Sequence, residues 1–229
     1  MSNSIRYANN QSLASLLELQ RLNTLNTINC HQVGEIVSFD PSKQTAEVQI
    51  KMSYVVNGEI KQYPVLLDCP CVVLGGGQGR VTFPINAGDS CLVLFNDKDM
   101  DNWYAGGQTM LPNTERMHSL SDAIALVGIH NKQNKLTDFL SNGTELKYGG
   151  STIKLEENKV TITNGTATIE MNSGNVTVTA TNLAVTAPTV AFSGAVSIAG
   201  ALTVQGTDVG PNHKHSGVST GSGTTGGVV

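Results

Sequence analysis

Pairs of apolar residues separated by a single residue recur through the second half of the chain. They are Ile153/Leu155, Val160/Ile162, Ile169/Met171, Val176/Val178, Leu183/Val185, Val190/Phe192, Val196/Ile198 and Leu202/Val204. Successive pairs begin six to nine residues apart, with Gly, Asn or Thr in the segments between them. Because alternate residues of a strand point to the same side, each unit predicts a short strand with one apolar face. A short repeat of this kind is typical of a β-solenoid.

Units this short do not allow one chain to complete a conventional solenoid coil by itself. Three chains can share the work if each supplies one wall of a triangular prism, and pairing between chains leaves few free strand edges. No Asp, Glu, Lys or Arg occurs from Met171 to Thr207, which suits a thin, tightly packed shaft. Eight stacked strands at ~4.8 Å give a shaft of roughly 40 Å. The sequence therefore predicts an intertwined trimeric β-helix over residues 150–206.

The stretch from Val33 to Gln108 alternates short strand candidates with turn signals. The candidates are "GEIVSFD", "QTAEVQIKMSYVV", "QYPVLL", "GRVTFPI" and "SCLVLF", and the turns are Asn57-Gly58, Gly75–Gly77 and Asn86–Asp89. Five strands within such a length favour a small barrel, of which the OB-fold is the commonest five-stranded kind. We expect an N-terminal OB-fold barrel over residues 31–110, followed by a linker over 111–149. The fold class is all-β.

Residues 1–30 form a separate N-terminal segment with one predicted helix. Leu13, Leu16, Leu17, Leu22 and Leu25 recur at close to helical spacing between Gln11 and Ile28. A short amphipathic helix of this kind either packs on its own domain or docks onto a partner, and the sequence leaves both open.

Composition and charge exclude several classes of function. The net charge is −4, and the barrel region holds five Lys/Arg against nine Asp/Glu, which argues against nucleic-acid binding. No apolar run approaches the ~20 residues of a membrane helix, and the N-terminus does not resemble a signal peptide. Cys30, Cys69, Cys71 and Cys91 fit a protein made in the reducing cytosol. "CPC" could form half of a zinc site, but no second Cys/His pair at metal spacing follows it, which favours buried thiols.

Two of the five histidines, His213 and His215, stand one residue apart in a tail of Gly, Ser, Thr and Val. On an extended segment they would point to the same side. In a trimer with threefold symmetry, both turned inward, they would give six imidazole nitrogens around one axis. Such a cage suits iron, nickel or cobalt better than tetrahedral zinc. The sequence therefore predicts a small metal-binding apex over residues 207–229.

Three quoted segments carry a resemblance to a known family. "VVLGGGQGRVTFPINAGDSCLVLFNDKDMDNWYAGG", "RMHSLSDAIALVGI" and "HKHSGVSTGSGTTGG" resemble, in this order, the central spike proteins of contractile-tailed bacteriophage baseplates. The resemblance covers the chain from about Val33 to the C-terminus. It implies a homotrimer, assembled in the bacterial cytoplasm into the virion, whose OB-fold docks under the baseplate hub protein. It further implies an apex with one iron ion per trimer, held octahedrally by His213 and His215 of each chain, and a spike that punctures the host outer membrane when the sheath contracts.

Other candidate sites are weaker, and we expect no enzymatic activity. "DKDMD" (97–101) begins like a calcium loop, but Asn102 and Gln108 occupy the positions that need Gly and Glu. Glu145, Glu156 and Glu157 could be named as glycosidase carboxylates, yet nothing in the sequence pairs them. The alternatives are a trimeric receptor-binding tail fibre or adhesin, a spike of a related contractile secretion system, and an envelope-degrading enzyme, which would lack a site.

Overall fold

The protein is described here from a computed structural model that places residues 12–56, 58–107, 109, 111–210, 217 and 221. The chain divides into two compact units, residues 1–139 and residues 140–229. Each unit is described by itself. The described part of the chain is mostly β-structure, as the sequence predicts, with one long helix at its start.

Helix α1 spans Leu13–Thr27, within one or two residues of the predicted bounds. Ser12 caps its first turn by accepting a hydrogen bond from the Ser15 amide at 3.2 Å. None of its residues is buried, so of the two alternatives the single chain does not show packing on its own domain, and docking onto a partner stays a prediction. At about 100° per residue its six leucines point to all sides of the helix, which also makes the predicted amphipathic pattern wrong. They are Leu13, Leu16, Leu17, Leu19, Leu22 and Leu25.

The N-terminal unit is built on a five-stranded antiparallel sheet. Its strands are β1 (His31–Asp40), β2 (Thr45–Ile50), β5 (Val65–Pro70), β8 (Ser90–Phe95) and β9 (Ala123–Val127). Across the sheet they lie in the order β5-β2-β1-β8-β9. Two hairpins project between them, β3 (Ser53–Val56) with β4 (Glu59–Gln62) and β6 (Leu74–Gly76) with β7 (Gly79–Val81). A short helix α2 (Asp101–Gly106) and a 3-10 turn (Leu120–Asp122) follow β8.

The sheet curls until its two outer strands approach each other. Cys71, just after β5, bridges to Ala125 of β9, and the Val72 amide donates to the Ala125 carbonyl at 2.9 Å. A register shift in the β1–β2 pair between Ile36 and Ser38 adds local twist. The result is the curled sheet of a small barrel, with this isolated bridge at its seam.

The barrel draws its fifth strand from further along the chain than the sequence predicts. "GRVTFPI" lies outside the five-stranded sheet, because Gly79–Val81 pairs only with Leu74–Gly76 and Pro84 lacks the amide that a ladder needs. Its place is taken by β9, which pairs with β8 from Cys91–Val127 to Phe95–Ala123. Part of the predicted 111–149 linker is therefore a barrel strand.

The core of this unit lies inside the curl. Ile36, Val48, Ile50, Val93 and Ala125 are at most 1% exposed. Gly34 lies at a close approach, since a Cβ there would stand 2.7 Å from Val48 Cγ1 and 2.9 Å from Val93 Cγ2. The burial of β1, β2 and β8 thus explains why their apolar residues alternate.

The C-terminal unit begins with a five-stranded antiparallel meander. Its strands are β10 (Gly143–Tyr148), β11 (Ser151–Glu156), β12 (Lys159–Asn164), β13 (Ala167–Asn172) and β14 (Asn175–Thr179). Each pairs with the next in full register across a two-residue turn. Ser173 and Gly174, with φ of 47° and 87°, have the left-handed backbone that such tight turns require. A short hairpin, β15 (Thr203–Val204) with β16 (Thr207–Asp208), follows further along.

Candidate trimerisation surface

One face of the β10–β14 meander is almost entirely apolar. Leu146, Ile153, Ile162, Ile169 and Val178 lie directly opposite one another from strand to strand and form a continuous ladder. A second ladder beside it runs through Leu155, Val160, Met171 and Val176. The predicted apolar pairs thus become two parallel rows because the two-residue turns keep every strand in the same register.

Among the residues that the structure describes, nothing covers these rows. Ile153, Ile162, Ile169 and Met171 remain 39–40% exposed, and Val176 is 67% exposed. A contiguous apolar surface of this kind on a soluble protein marks an interface. Fully burying one aliphatic side chain contributes about 1.5–3 kcal/mol, so covering the face of each chain provides a strong drive for assembly.

The opposite face of the same sheet is polar and carries its charges in pairs. Lys154 Nζ lies 3.3 Å from Glu145 Oε1 on the neighbouring strand. Lys159 Nζ lies 3.7 Å from Glu156 and 4.0 Å from Glu170. Threonines occupy most of the remaining positions on this face. The sheet therefore has one side suited to water and one side suited to another protein surface.

The apolar pairs continue beyond the meander, but intrachain pairing stops. No strand is assigned between Thr179 and Thr203, a stretch that the structure describes throughout. Leu183, Val185, Val190, Phe192 and Ile198 are all at least half exposed there. The backbone amides and carbonyls of such a stretch need partners once its side chains are covered, and other chains can supply both.

The predicted metal ligands His213 and His215 lie outside the described residues. The iron site therefore stays a prediction, as does the apex at 207–229. The described neighbourhood ends at Gly210 and resumes only at Gly217 and Gly221.

The structure gathers a different set of possible metal ligands that the sequence analysis did not bring together. Carboxylate oxygens of Asp99, Asp101 and Asp122 lie within 4.8 Å of one another. The Arg116 guanidinium binds all three, at 3.0 Å, 2.9 Å and 2.7 Å respectively. The Arg116 hydrogen bonds hold the pKa of the Asp122 carboxyl below its ordinary range. The pKa of the Asp99 carboxyl is lowered first by the hydrogen bond from the Asp101 amide and then by Thr114 and the charge of Arg116. The cluster is a salt-bridge network that anchors the α2 segment to β9, and the acidic "DKDMD" turn is part of it.

The four cysteines differ in their burial, which favours the predicted buried thiols over a zinc half-site. Cys69 and Cys91 are buried in the barrel core, Cys71 is half-buried and Cys30 is exposed. Burial raises the pKa of the Cys69 thiol to about 12 and that of Cys91 to about 11. Cys69 and Cys91 therefore lie among the apolar residues of the core as small buried side chains.

The carboxylates and remaining histidines do not form a catalytic constellation in the described part of the chain. Glu145 and Glu156 bind different lysines. His118 Nδ1 lies 3.1 Å from the Asn29 carbonyl, and His130 Nδ1 lies 2.9 Å from the Asn134 carbonyl. The His130 contact is local, and the His118 contact ties the loop before the 3-10 turn to the segment between α1 and β1. Among the described residues, no helix has the length and apolar character needed to cross a membrane.

Comparison with known proteins assigns both units. Residues 33–128 match a family described as "Phage protein Gp138 N-terminal domain". The matched range includes β9 and ends one residue after it. Residues 141–210 match a family described as "Gp138, beta helical trimerization domain". A comparison with curated proteins finds no match.

The second match fits the uncovered ladders, because a trimerisation domain needs a surface that other copies of the chain can cover. The protein is a homotrimer, and its family is structural rather than enzymatic. With the two domains following each other in the same order, the chain belongs to the family of phage Gp138 proteins, which are central spikes of the phage baseplate.

Proposed function

We propose that the homotrimer is the baseplate central spike that punctures the host outer membrane when the tail sheath contracts. The observation that carries this proposal is the pair of uncovered ladders in β10–β14, which continue as uncharged apolar pairs toward the C-terminus. A shaft made this way is stiff, since covering each ladder needs three interlocking chains, and stiffness is what a driven needle requires.

The same proposal includes a metal at the tip. His213 and His215 of three chains would supply six imidazole nitrogens, and an iron ion bound there would tie three Gly-rich ends into one point. Binding of the ion would be coupled to folding of the tip. Support comes from the H-x-H spacing, from the trimer and from the resemblance of "HKHSGVSTGSGTTGG" to the tips of phage spikes.

Placement in the particle follows from the same reasoning. The spike would be a virion component of the tail baseplate, assembled in the bacterial cytoplasm, with its N-terminal unit bound to the hub protein. Nucleic acid is not expected as a partner, because the barrel region is net negative. No catalytic activity is part of the proposal.

Elemental analysis and mass determination on one purified sample test the tip. We expect one iron per three chains, lost in the His213→Ala/His215→Ala double variant while the trimer persists. His130→Ala is the matched control, since the His130 ring bonds the Asn134 carbonyl within its own loop, and it should keep the iron. A metal-free wild-type trimer would remove the iron tip from the proposal.

Penetration is tested separately on phage particles. Particles carrying the double variant should adsorb and contract normally but release their genome into fewer cells than particles carrying His130→Ala. A trimeric receptor-binding fibre or adhesin is the alternative function, as is a spike of a related contractile secretion system. The fibre hypothesis predicts that particles with the His213→Ala/His215→Ala double variant lose adsorption instead.

A further inference from the structure

The N-terminal unit carries an apolar hairpin that none of the described residues covers. In the β3–β4 hairpin, Val55 lies directly opposite Ile60 on one face. These side chains are 67% and 75% exposed, and both strands are exposed throughout. A two-stranded hairpin is marginal in water by itself. The hairpin therefore needs a neighbouring surface to bury its apolar pair.

The same unit carries an apolar groove. It lies between the end of β1 and the segment 71–85. Its walls are formed by Phe39, Val72, Val81, Phe83 and Ile85, with Arg80 among the lining residues. Val72, Val81 and Phe83 are 40–50% exposed. The groove has the apolar character to take an aliphatic side chain. Arg80 in its lining supplies a cation that can meet a carboxylate.

Strand register places the hairpin and the groove at opposite ends of β2. Thr45 begins β2 opposite Asp40 and Pro70, next to the groove. Ile50 ends β2 opposite Gly34, and the hairpin begins at Ser53. Six residues of strand separate the two ends by about 17–20 Å. The hairpin therefore extends from the end of β2 that is distant from the groove, and it does not fill the groove of its own chain.

We propose that in the homotrimer the β3–β4 hairpin of each protomer packs into the groove of the next protomer, placing Val55 and Ile60 against Phe83 and Val81. A projection and a recess at opposite ends of one domain form a heterologous pair, and such a pair closes into a ring under threefold symmetry. Every hairpin and every groove is then used once. The occupant of the groove is thus a second copy of this chain.

The proposal rests on the trimer and not on membrane piercing or iron. The β10–β14 ladders assemble the C-terminal units, whereas this contact would join the N-terminal units around the axis. Because the C-terminal units already hold three chains together, each hairpin meets a groove at high effective concentration. A modest apolar contact is then enough to be occupied.

Disulfide trapping in the full-length protein tests this contact. The background is Cys30→Ser/Cys71→Ala, which removes the exposed cysteine and the one lining the groove. Ile60→Cys/Phe83→Cys should give covalent trimers on a denaturing gel after mild oxidation. The yield should exceed that of the control pair Ile60→Cys/Leu136→Cys by about tenfold, since Leu136 is comparably exposed but does not line the groove.

A second variant covers the case in which the introduced thiols are close but badly oriented. Ile60→Asp leaves the isolated fold intact because Ile60 is exposed, yet it would place a charge in the groove of the neighbour. We expect it to lower the first thermal transition of the trimer, whereas Lys61→Asp, with its side chain on the other face, should not. No covalent trimer above the control together with an unchanged transition would overturn the proposal. Trapping of the Ile60→Cys thiol on a hub protein instead of a second copy would overturn it as well.

Discussion

Ile162 of β12 lies directly opposite Ile169 of β13, on the face of the meander that the single chain leaves uncovered. Thr161 and Thr168, one residue earlier in each strand, point to the other face. This alternation decides the assembly, because it gives the sheet one surface for water and one for two further copies. The pair sits at the centre of the first ladder, with two strands on one side and one on the other.

A single charge on this face should abolish the trimer. Ile169→Asp puts a carboxylate into each of three equivalent buried positions, and a buried unpaired charge is strongly unfavourable. The milder Ile169→Ala should keep the trimer and destabilise it by about 2–5 kcal/mol per chain. Light scattering gives the mass and thermal unfolding gives the stability. Thr168→Asp is the matched control on the polar face and should stay trimeric, and a trimeric Ile169→Asp would contradict the assignment of the face.

The stretch from Leu183 to Ile198 should be protected from solvent only within the trimer. It has no intrachain strand, so its amides depend on other chains for hydrogen bonds. In hydrogen exchange, the wild-type trimer should protect this stretch nearly as well as β11–β13. Under conditions where Ile169→Asp is monomeric, the stretch should exchange freely while the core of the barrel around Val48 and Val93 stays protected. Equal protection in the monomeric variant would show that the stretch pairs within its own chain.

The sequence predicted the first four strands of the shaft well because their signal is local, whereas the predicted strands at Leu183/Val185, Val190/Phe192 and Val196/Ile198 do not form within the chain. Ile153/Leu155, Val160/Ile162 and the next two pairs all fall in strands, and residue parity alone fixed which side they share. That these strands form an antiparallel meander within one chain was not predicted. Two-residue turns such as Ser173-Gly174 reverse the chain and so make the strands antiparallel. The sequence analysis interpreted these turn residues only as breaks between strands, which does not give the direction of the next strand.

The barrel shows where local signals fail. β9 pairs with β8 across more than 25 residues, and "AIALV" resembles a loop-flanked apolar run like many others. The Arg116 network joins Asp99, Asp101 and Asp122 through a turn that only the folded chain brings together. Helix α1 was found from its leucines, but their spread around the helix shows that spacing alone did not identify a buried side.

The four cysteines should differ sharply in their reaction with a thiol reagent. Cys30 is exposed, whereas burial raises the pKa of Cys69 to about 12 and that of Cys91 to about 11. Because the thiolate is the reactive form, we expect Cys30 to be alkylated within minutes at pH 8 and the two core thiols only on unfolding. Mass spectrometry of the alkylated protein reads out the sites, with Cys30→Ser as the control. Rapid alkylation of Cys69 or Cys91 in the folded trimer would mean that the barrel opens readily.

The N-terminal unit should lose stability in acid through the carboxylates around Arg116. Hydrogen bonds from Arg116 lower the pKa of Asp122, and backbone and Thr114 hydrogen bonds with Arg116 nearby lower that of Asp99. As the pH falls, the unfolded chain therefore binds more protons than the folded one. The stabilisation by these carboxylates is fully present above the pKa of about 3.9 that Asp has in the unfolded chain, and it is lost as the pH falls through the lower pKa values of the folded chain. Asp122→Asn should lower the unfolding temperature at pH 7 and flatten its fall between about pH 5 and pH 2. Glu115→Gln, which removes an exposed carboxylate beside Arg116 in the sequence, is the control and should keep the wild-type slope. A variant Asp122→Asn with the wild-type slope would show that the Arg116 network does not govern the acid transition.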